Sequence, residues 1–313
     1  MHFRVKMYLS LIQFIYNRSR EVIFMLNQRY RAFSISAAEG SFTRAAEIMH
    51  YSPSAVSQLV SALEKELGFT LLLRHRRGVA LTSEGATVLP VIRELLHQEE
   101  RLEQLTADLQ GLSVGMINIG AYSSIASHWL PGLINHFMTE YPGIKISMME
   151  GIRQENEEWL NNHLVDLAFF SYKKGMTYDW IPLADDPMVA VLPETHPRAG
   201  DDSYPLHEVR KESFIMPALG RDDDVLELFR KNRIDPKITF STLENFAALA
   251  LIEQGMGMSI MNDLITRNYQ CRVVKLPLDP PQHISLGIAV PSLDSASPAV
   301  RRFIDFAVER LRK

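Results

Sequence analysis

A single cysteine, Cys271, leaves the chain with no internal disulfide and no thiolate set for structural zinc or an iron–sulfur cluster, and fits a reducing cytosol. Long hydrophobic runs are missing too. The short apolar run 8–16 carries Ser10 and Gln13, falls far below the roughly 20 residues of a bilayer span, and is followed by Asn17-Arg18-Ser19-Arg20 rather than a small-residue cleavage site. A secretory leader or membrane anchor is therefore not expected, and the glycosylation triplet at Asn17 has no secretory context. Basic charge is not in excess: 33 Lys and Arg stand against 37 Asp and Glu, a net −4, so any nucleic-acid site must be a local patch. There is no P-loop and no His-Glu-x-x-His, and Gly255-Met256-Gly257 lacks the third glycine of a dinucleotide fingerprint. The ten histidines form no metal-spaced cluster, and Asp222-Asp223-Asp224 reads as acidity at a helix N-terminus rather than a cation site. No catalytic residue, metal or cofactor is expected, and an enzyme is disfavoured.

What is present is globular. The 313 residues suggest two or three domains at about 150 residues each, and 46% hydrophobic with 22% charged residues is ordinary for folded proteins. Charge is uneven along the chain: +3 over 1–24, +2 over 25–85, −3 over 86–114 and −6 beyond. A mildly basic head followed by an acidic connector and body favours a separate anion-binding module. Residues 1–24 read as an extension, because Met25 opens a stretch that looks like a natural start.

The spacing predicts a first helix over 27–38 ending at Gly40, and a second, short one over 42–49 with Ser41 as N-cap and Ala45 and Ala46 small enough for a close helix crossing. Ser52-Pro53 opens a third helix by two signals, an N-cap hydroxyl and a proline at the first helical position. Val56, Leu59, Val60, Leu63 and Leu67 form its buried stripe; Ser54, Ser57, Gln58 and Ser61 lie opposite. Such short polar side chains suit the reading of a duplex, and equally an ordinary solvated face. Two extended runs then flank a turn with Arg74, Arg76 and Arg77, which is either a phosphate-binding wing or a plain basic hairpin.

The residues of this module resemble the winged helix-turn-helix of LysR-type transcriptional regulators. The resemblance rests on Gly40-Ser41-Phe42-Thr43-Arg44-Ala45-Ala46, Ser54-Ala55-Val56-Ser57-Gln58, Leu63-Glu64, Leu67-Gly68, Leu71-Leu72, Arg77-Gly78-Val79, Leu81-Thr82 and Gly85. It implies double-stranded DNA as partner, with Ser41, Thr43 and the helix from Ser52 and Pro53 to Ser61 at the major groove. Ser57 would lie near a phosphate and Gln58 near base edges, with Arg74, Arg76 and Arg77 holding the backbone. Pro53 stands where the family often has Gln, and Ser61 where it often has a basic residue, so fewer contacts are expected from that helix.

From Thr82, its cap, a long helix carries Val88, Ile92, Leu95, Leu102 and Leu109 at spacings near three and four, with Pro90 expected to bend it or loosen one hydrogen bond. A dimerising linker over 86–112 is favoured over a core helix, as the resemblance also implies, giving a homodimer or homotetramer.

Beyond it, strand and helix patterns alternate: strands at 116–120, 144–149, 167–170 and 188–192 with helices between, then a second alternating set, strands near 273–276 and 284–290, and a final amphipathic helix at 298–311. Alternation of this kind predicts open parallel α/β sheets with ligand loops at the strand carboxyl ends. The serines Ser123 and Ser124 are read either as caps or as hydroxyls for an anion, with Arg153 as a candidate charge.

Leu130-Pro131, Phe137, Tyr141-Pro142, Glu150-Gly151, Asp166-Leu167-Ala168, Trp180 with Pro182-Leu183, His196-Pro197 and Ser297-Pro298 extend the resemblance to the effector domains of the same family. It implies a periplasmic-binding-protein-like body over 113–313, with lobe I at 113–187 and 292–313, lobe II at 188–291, and crossovers near Pro187 and Pro291. Ser123, Ser124, Ile152, Pro217, Ala218, Leu219 and Gly220 would line the effector site. The expected fold is thus α/β overall: a winged helix-turn-helix, a linker helix and a two-lobed effector domain. The expected protein is a cytoplasmic, bacterial, sequence-specific DNA-binding regulator modulated by a small molecule of unread identity, for which an anion is compatible. RNA polymerase is a further candidate partner, and the rival is a small-molecule binding protein whose N-terminal helices only dimerise.

Overall fold

The computed structural model describes residues 27–312 except 268 and 269. The extension over 1–24 lies outside the described residues. The chain forms two compact units, divided between Leu102 and Glu103.

The first unit is a helical head. Helix α1, described over 27–39, turns at Gly40 into α2 (Phe42–Met49), whose N-cap Ser41 accepts a hydrogen bond from the Arg44 amide. Helix α3 (Pro53–Leu67) begins at Ser52, which accepts from the Ala55 amide at 3.2 Å, and stops where Gly68 takes the left-handed conformation. A two-stranded wing follows, β1 (Leu72–His75) antiparallel to β2 (Gly78–Leu81). Gly78 has φ +139°, and a Cβ there would fall 2.1 Å from the Gly40 carbonyl oxygen, which itself accepts from the Val79 amide at 2.8 Å. Only glycine lets the wing lie this close to the α1–α2 turn. Thr82 caps the long helix α4 (Ser83–Leu109) by accepting from the Gly85 amide at 2.8 Å, and Pro90 is carried inside the helix.

Phe33, Ala45, Ala46, Val56, Val60, Leu63, Leu71 and Leu72 make the head's core. Leu67, expected in that stripe, is exposed, because it sits in the last turn of α3 beyond the residues α3 packs against. Two connector residues also depart from expectation. Ile92 is 3% exposed and, with Leu89 and the half-buried Val88, belongs to the head's core rather than to a free seam. The first turns of α4 are needed to close the head, and farther along the helix Arg31 of α1 pairs with Glu99 at 3.3 Å.

The second unit contains β3 (Gly115–Ala121), α5 (Ser123–His128), α6 (Leu130–Glu140), β4 (Ile144–Glu150), α7 (Arg153–Asn161), β5 (Leu167–Ser171), β6 (Asp179–Pro193) and β7 (Tyr204–Pro205). It continues through β8 (Ser213–Met216), α8 (Asp223–Asn232), β9 (Lys237–Ser241), α9 (Asn245–Glu253), β10 (Ser259–Asn262), α10 (Asp263–Thr266), β11 (Val273–Asp279), β12 (His283–Val290) and α11 (Pro298–Leu311). The strands run β4-β3-β5-β12-β6-β11-β7, with β10 also on β6 and with β8-β9 as a separate parallel pair.

Strand β5 is apolar at nearly every position because both faces are covered: Leu167 and Phe169 join α6 and α11 on one side, Ala168 and Phe170 join α7 on the other. Phe137 of α6 meets Phe303 of α11 edge to face at 5.0 Å.

Three expectations are corrected. The strand read at 188–192 is the second half of one 15-residue strand, β6, whose first half pairs with β12 and whose second half pairs with β10 and β11. The sheet is mixed, since β3 is parallel to β4 and β5 but β12 is antiparallel to β5 and β6. The return crossover precedes His283 instead of falling near Pro291, because β12 pairs with β5 and with β6 up to Pro187 and so belongs to lobe I.

Candidate nucleic-acid interface and effector cleft

On the head, the exposed face of α3 lies beside the wing. Arg74 donates to Ser57 Oγ at 2.9 Å and to Ser61 Oγ at 2.7 Å, and its guanidinium lies over the Phe42 ring at 5.2 Å. It ties α2, α3 and β1 together. Ser52 and Ser54 hydroxyls are 2.9 Å apart. Thr43, Pro53, Gln58, Arg76 and Arg77 are exposed, the two arginines forming the wing's turn. Glu64, whose role the sequence did not reveal, accepts from the Leu71 and Leu72 amides at 2.8 and 3.1 Å and so fixes how the chain leaves α3 for the wing.

The body contains a cavity of about 240 Å³ between its lobes. Of the residues expected there, Ser123, Ser124, Ile152, Arg153 and Ala218 line it; Pro217, Leu219 and Gly220 do not. Ala218 and Leu219 both take left-handed φ near +50°, a turn that leaves Pro217 buried in its lobe and sends Leu219 to solvent. Tyr122, Glu150, Asp224, Asn245 and Asn262 line the cavity as well. Of these, Tyr122 just beyond β3 and Asn262 at the end of β10 lie on strand-end loops where a ligand site was expected.

Arg153 is not the open cation that was expected. It is 3% exposed, donates to Ser171 Oγ and to Asp224 Oδ1 (3.3 Å), and lies 3.5 Å from Asp223 and 5.4 Å from the Phe170 ring centroid. Burial works against its charge, but Tyr122 and the carboxylates of Asp224, Glu157 and Asp223 outweigh it and hold its pKa above the usual arginine value. Ser171 donates to both Asp224 oxygens at 2.6 and 2.9 Å, and Lys173 reaches Asp223 at 3.5 Å. Arg153, Ser171 and Lys173 belong to lobe I and the two aspartates to α8 of lobe II, so this network latches the lobes together.

Asp222 caps α8, accepting from the Asp224 and Val225 amides at 3.1 Å each. The acidic triplet is therefore a helix start, as read, with two of its members also closing the latch. Burial, and then the Asp224 charge, push the Asp222 carboxyl up to about 6. Burial, then Asp224, pushes the Tyr122 phenol far above its ordinary value.

Along α4, Leu95, Leu102 (64%) and Leu109 (89%) are exposed, together with Val91 and Leu105. Among the described residues no helix is long and apolar enough to cross a membrane.

A winged head joined to a two-lobed body with a cavity at the lobe junction defines a ligand-responsive DNA-binding protein. The helix-turn-helix model of the lysR family of bacterial regulatory proteins matches residues 28–86, and the LysR substrate binding domain matches 110–312. The chain belongs to the LysR family of transcriptional regulators. It is 32% identical over 282 residues to the uncharacterized regulator YvbU of Bacillus subtilis, covering 89% of this chain and 96% of that one. Full-length OxyR from Pseudomonas aeruginosa shares the fold with a TM-score of 0.72 at 22% identity, over 90% of this chain and 93% of that one. The effector binding domain of QuiR, solved with shikimate, aligns with a TM-score of 0.56 at 27% identity over 63% of this chain and 97% of that domain.

Proposed function

We propose that this regulator reads its operator with the exposed face of α3 while the wing holds the duplex backbone, and that a small molecule in the interlobe cavity biases that binding. The observation that carries the reading is the juxtaposition of a capped helix presenting Ser54 and Gln58 with a hairpin tip of two exposed arginines. Gln58 meets base edges; Ser41, Thr43, Ser52, Pro53 and Ser54 approach the groove; Arg76 and Arg77 neutralise phosphates. Arg74 orders Ser57 and Ser61 and adds its charge behind them.

Ser123, Ser124, Ile152 and Ala218 contribute to the effector site, and Arg153 positions its wall. The exposed leucines of α4 pair with those of a second copy, which presents two heads to two half-sites in a homodimer or homotetramer. The protein works in the cytoplasm, binds its effector without transforming it, and RNA polymerase is a further partner on DNA.

The test is fluorescence anisotropy of the full chain on DNA from upstream of its own gene against shuffled DNA, at several salt concentrations. Tight, salt-dependent binding with preference for the upstream DNA is expected. Absence of binding at low salt overturns the assignment of the head.

A further inference from the structure

The charge around the interlobe cavity is the reverse of what an anion needs. Six carboxylates and two guanidiniums line it. Both guanidiniums already face carboxylates: Arg153 is held by Asp223 and Asp224, and Arg221 lies 4.0 Å from Glu155. Asp222 is engaged in capping α8.

Two carboxylates are left over. Glu150 closes β4 in lobe I and Glu244 precedes α9 in lobe II, and neither has an ion pair or side-chain hydrogen bond among the described residues. They are near enough that Glu244, after burial, holds the Glu150 carboxyl above its ordinary range. The same cavity wall offers a hydroxyl. Ser124 is 4% exposed, lines the cavity, and its side chain has no hydrogen-bond partner among the described residues. Met188, Val225, Ile265 and Ile284 supply an apolar wall beside these groups.

An ammonium carries three donors and no acceptor, and a guanidinium five donors in a plane. Two unpaired carboxylates and an acceptor hydroxyl on one cavity wall match that inventory, and the apolar residues suit a short methylene chain. We infer that the cavity takes a small aliphatic amine or guanidine, its cationic group seated between Glu150 and Glu244 and donating to Ser124 Oγ. The inference rests on the cavity being the effector site. Because the two glutamates come from opposite lobes, such a cation adds a second tie across the cleft beside the Arg153 latch.

The experiment is isothermal titration, with thermal melting in parallel, of the full chain at fixed ionic strength. The probes are butane-1,4-diamine, agmatine, L-lysine and L-arginine, set against shikimate and 2-phosphoglycolate. At least one cationic probe is expected to bind in the millimolar range or tighter. The Glu150→Gln/Glu244→Gln double variant, checked for a cooperative melt, should weaken it by about tenfold or more, and Ser124→Ala by less.

The inference is overturned if all four cationic probes are silent, if they bind the double variant as well as wild type, or if only an anion binds. Operator anisotropy on the same wild-type preparation separates the two readings. An anion that binds and alters operator affinity removes the amine and leaves the regulator standing, whereas an amine that binds a chain unable to recognise DNA removes the regulator reading alone.

Discussion

Asp222 shows how one side chain can serve structure at a cost in stability. It supplies the N-cap of α8, yet its carboxyl is harder to ionise in the folded chain, at about 6, than at its ordinary value of 3.8. The folded state therefore holds a proton that the unfolded chain has released over that window. Stability falls as pH rises from near 3.8 through about 6, and the deficit is complete above it. Asp222→Asn keeps the cap acceptor and removes the charge, so it should raise the melting temperature at neutral pH and flatten that decline, whereas Asp222→Ala should cost about 1 kcal/mol of cap. Melts of the three proteins across pH check both. On the head, Gln58 is the exposed amide of α3, so Gln58→Ala should narrow the gap between operator and shuffled DNA by about 1–3 kcal/mol while leaving non-specific binding nearly unchanged. Competition anisotropy reads that difference directly.

Among elements, the wing and α4 carry the clearest expectations. The wing is short, anchored by Gly78 on the Gly40 carbonyl, and its tip is free, so Arg76→Ala/Arg77→Ala should leave the fold intact. That variant should weaken operator and shuffled DNA alike and reduce the salt slope by about two for each head. Leu102 and Leu109 stand out on α4 as exposed leucines past the stretch that closes the head, so Leu102→Lys should shift sedimentation toward monomer without lowering the head's stability. The head was legible in the sequence because its signals are local: caps at Ser41, Ser52 and Thr82, stops at Gly40 and Gly68, and a basic hairpin tip. Val88 and Ile92 were misplaced because a helical stripe tells which residues are buried but not against what. The body's sheet was partly misread for a similar reason. A strand such as β6 that serves two lobes is read only in its second half when a proline, Pro187, stands at the junction, and the partners of β12 lie roughly a hundred residues away in sequence. In the cavity, Ser123, Ser124 and Ile152 follow from strand-end logic. Glu150, Asp224 and Asn245 come from segments that only the closed tertiary structure brings together.

For the molecule as a whole, the latch between the lobes decides how a ligand could be felt at all. A ligand shifts an equilibrium only by its differential affinity for the two arrangements, so a body whose lobes were already immovable would transmit nothing. Here the lobes are tied on one side of the cavity by Ser171, Arg153 and Lys173 to Asp223 and Asp224, while Glu150 and Glu244 repel each other on another. The cleft therefore carries attraction and like-charge repulsion together. Asp224→Ala leaves Arg153 buried with Asp223 and the more distant Glu157 as its remaining counter-charges, and removes the acceptor of Ser171; breaking a buried pair in this way should destabilise the body by about 3 kcal/mol. Asp224→Asn, which keeps an acceptor for Ser171, should cost less. If the latch sets the resting lobe angle, Asp224→Ala should also move operator affinity in the absence of any effector, by an amount within the ~1–3 kcal/mol typical of coupling between sites. Calorimetric melts give the first number and operator anisotropy the second. A variant that melts lower yet binds operator with wild-type affinity would confine the latch to stability and place the transmission of the signal elsewhere in the body.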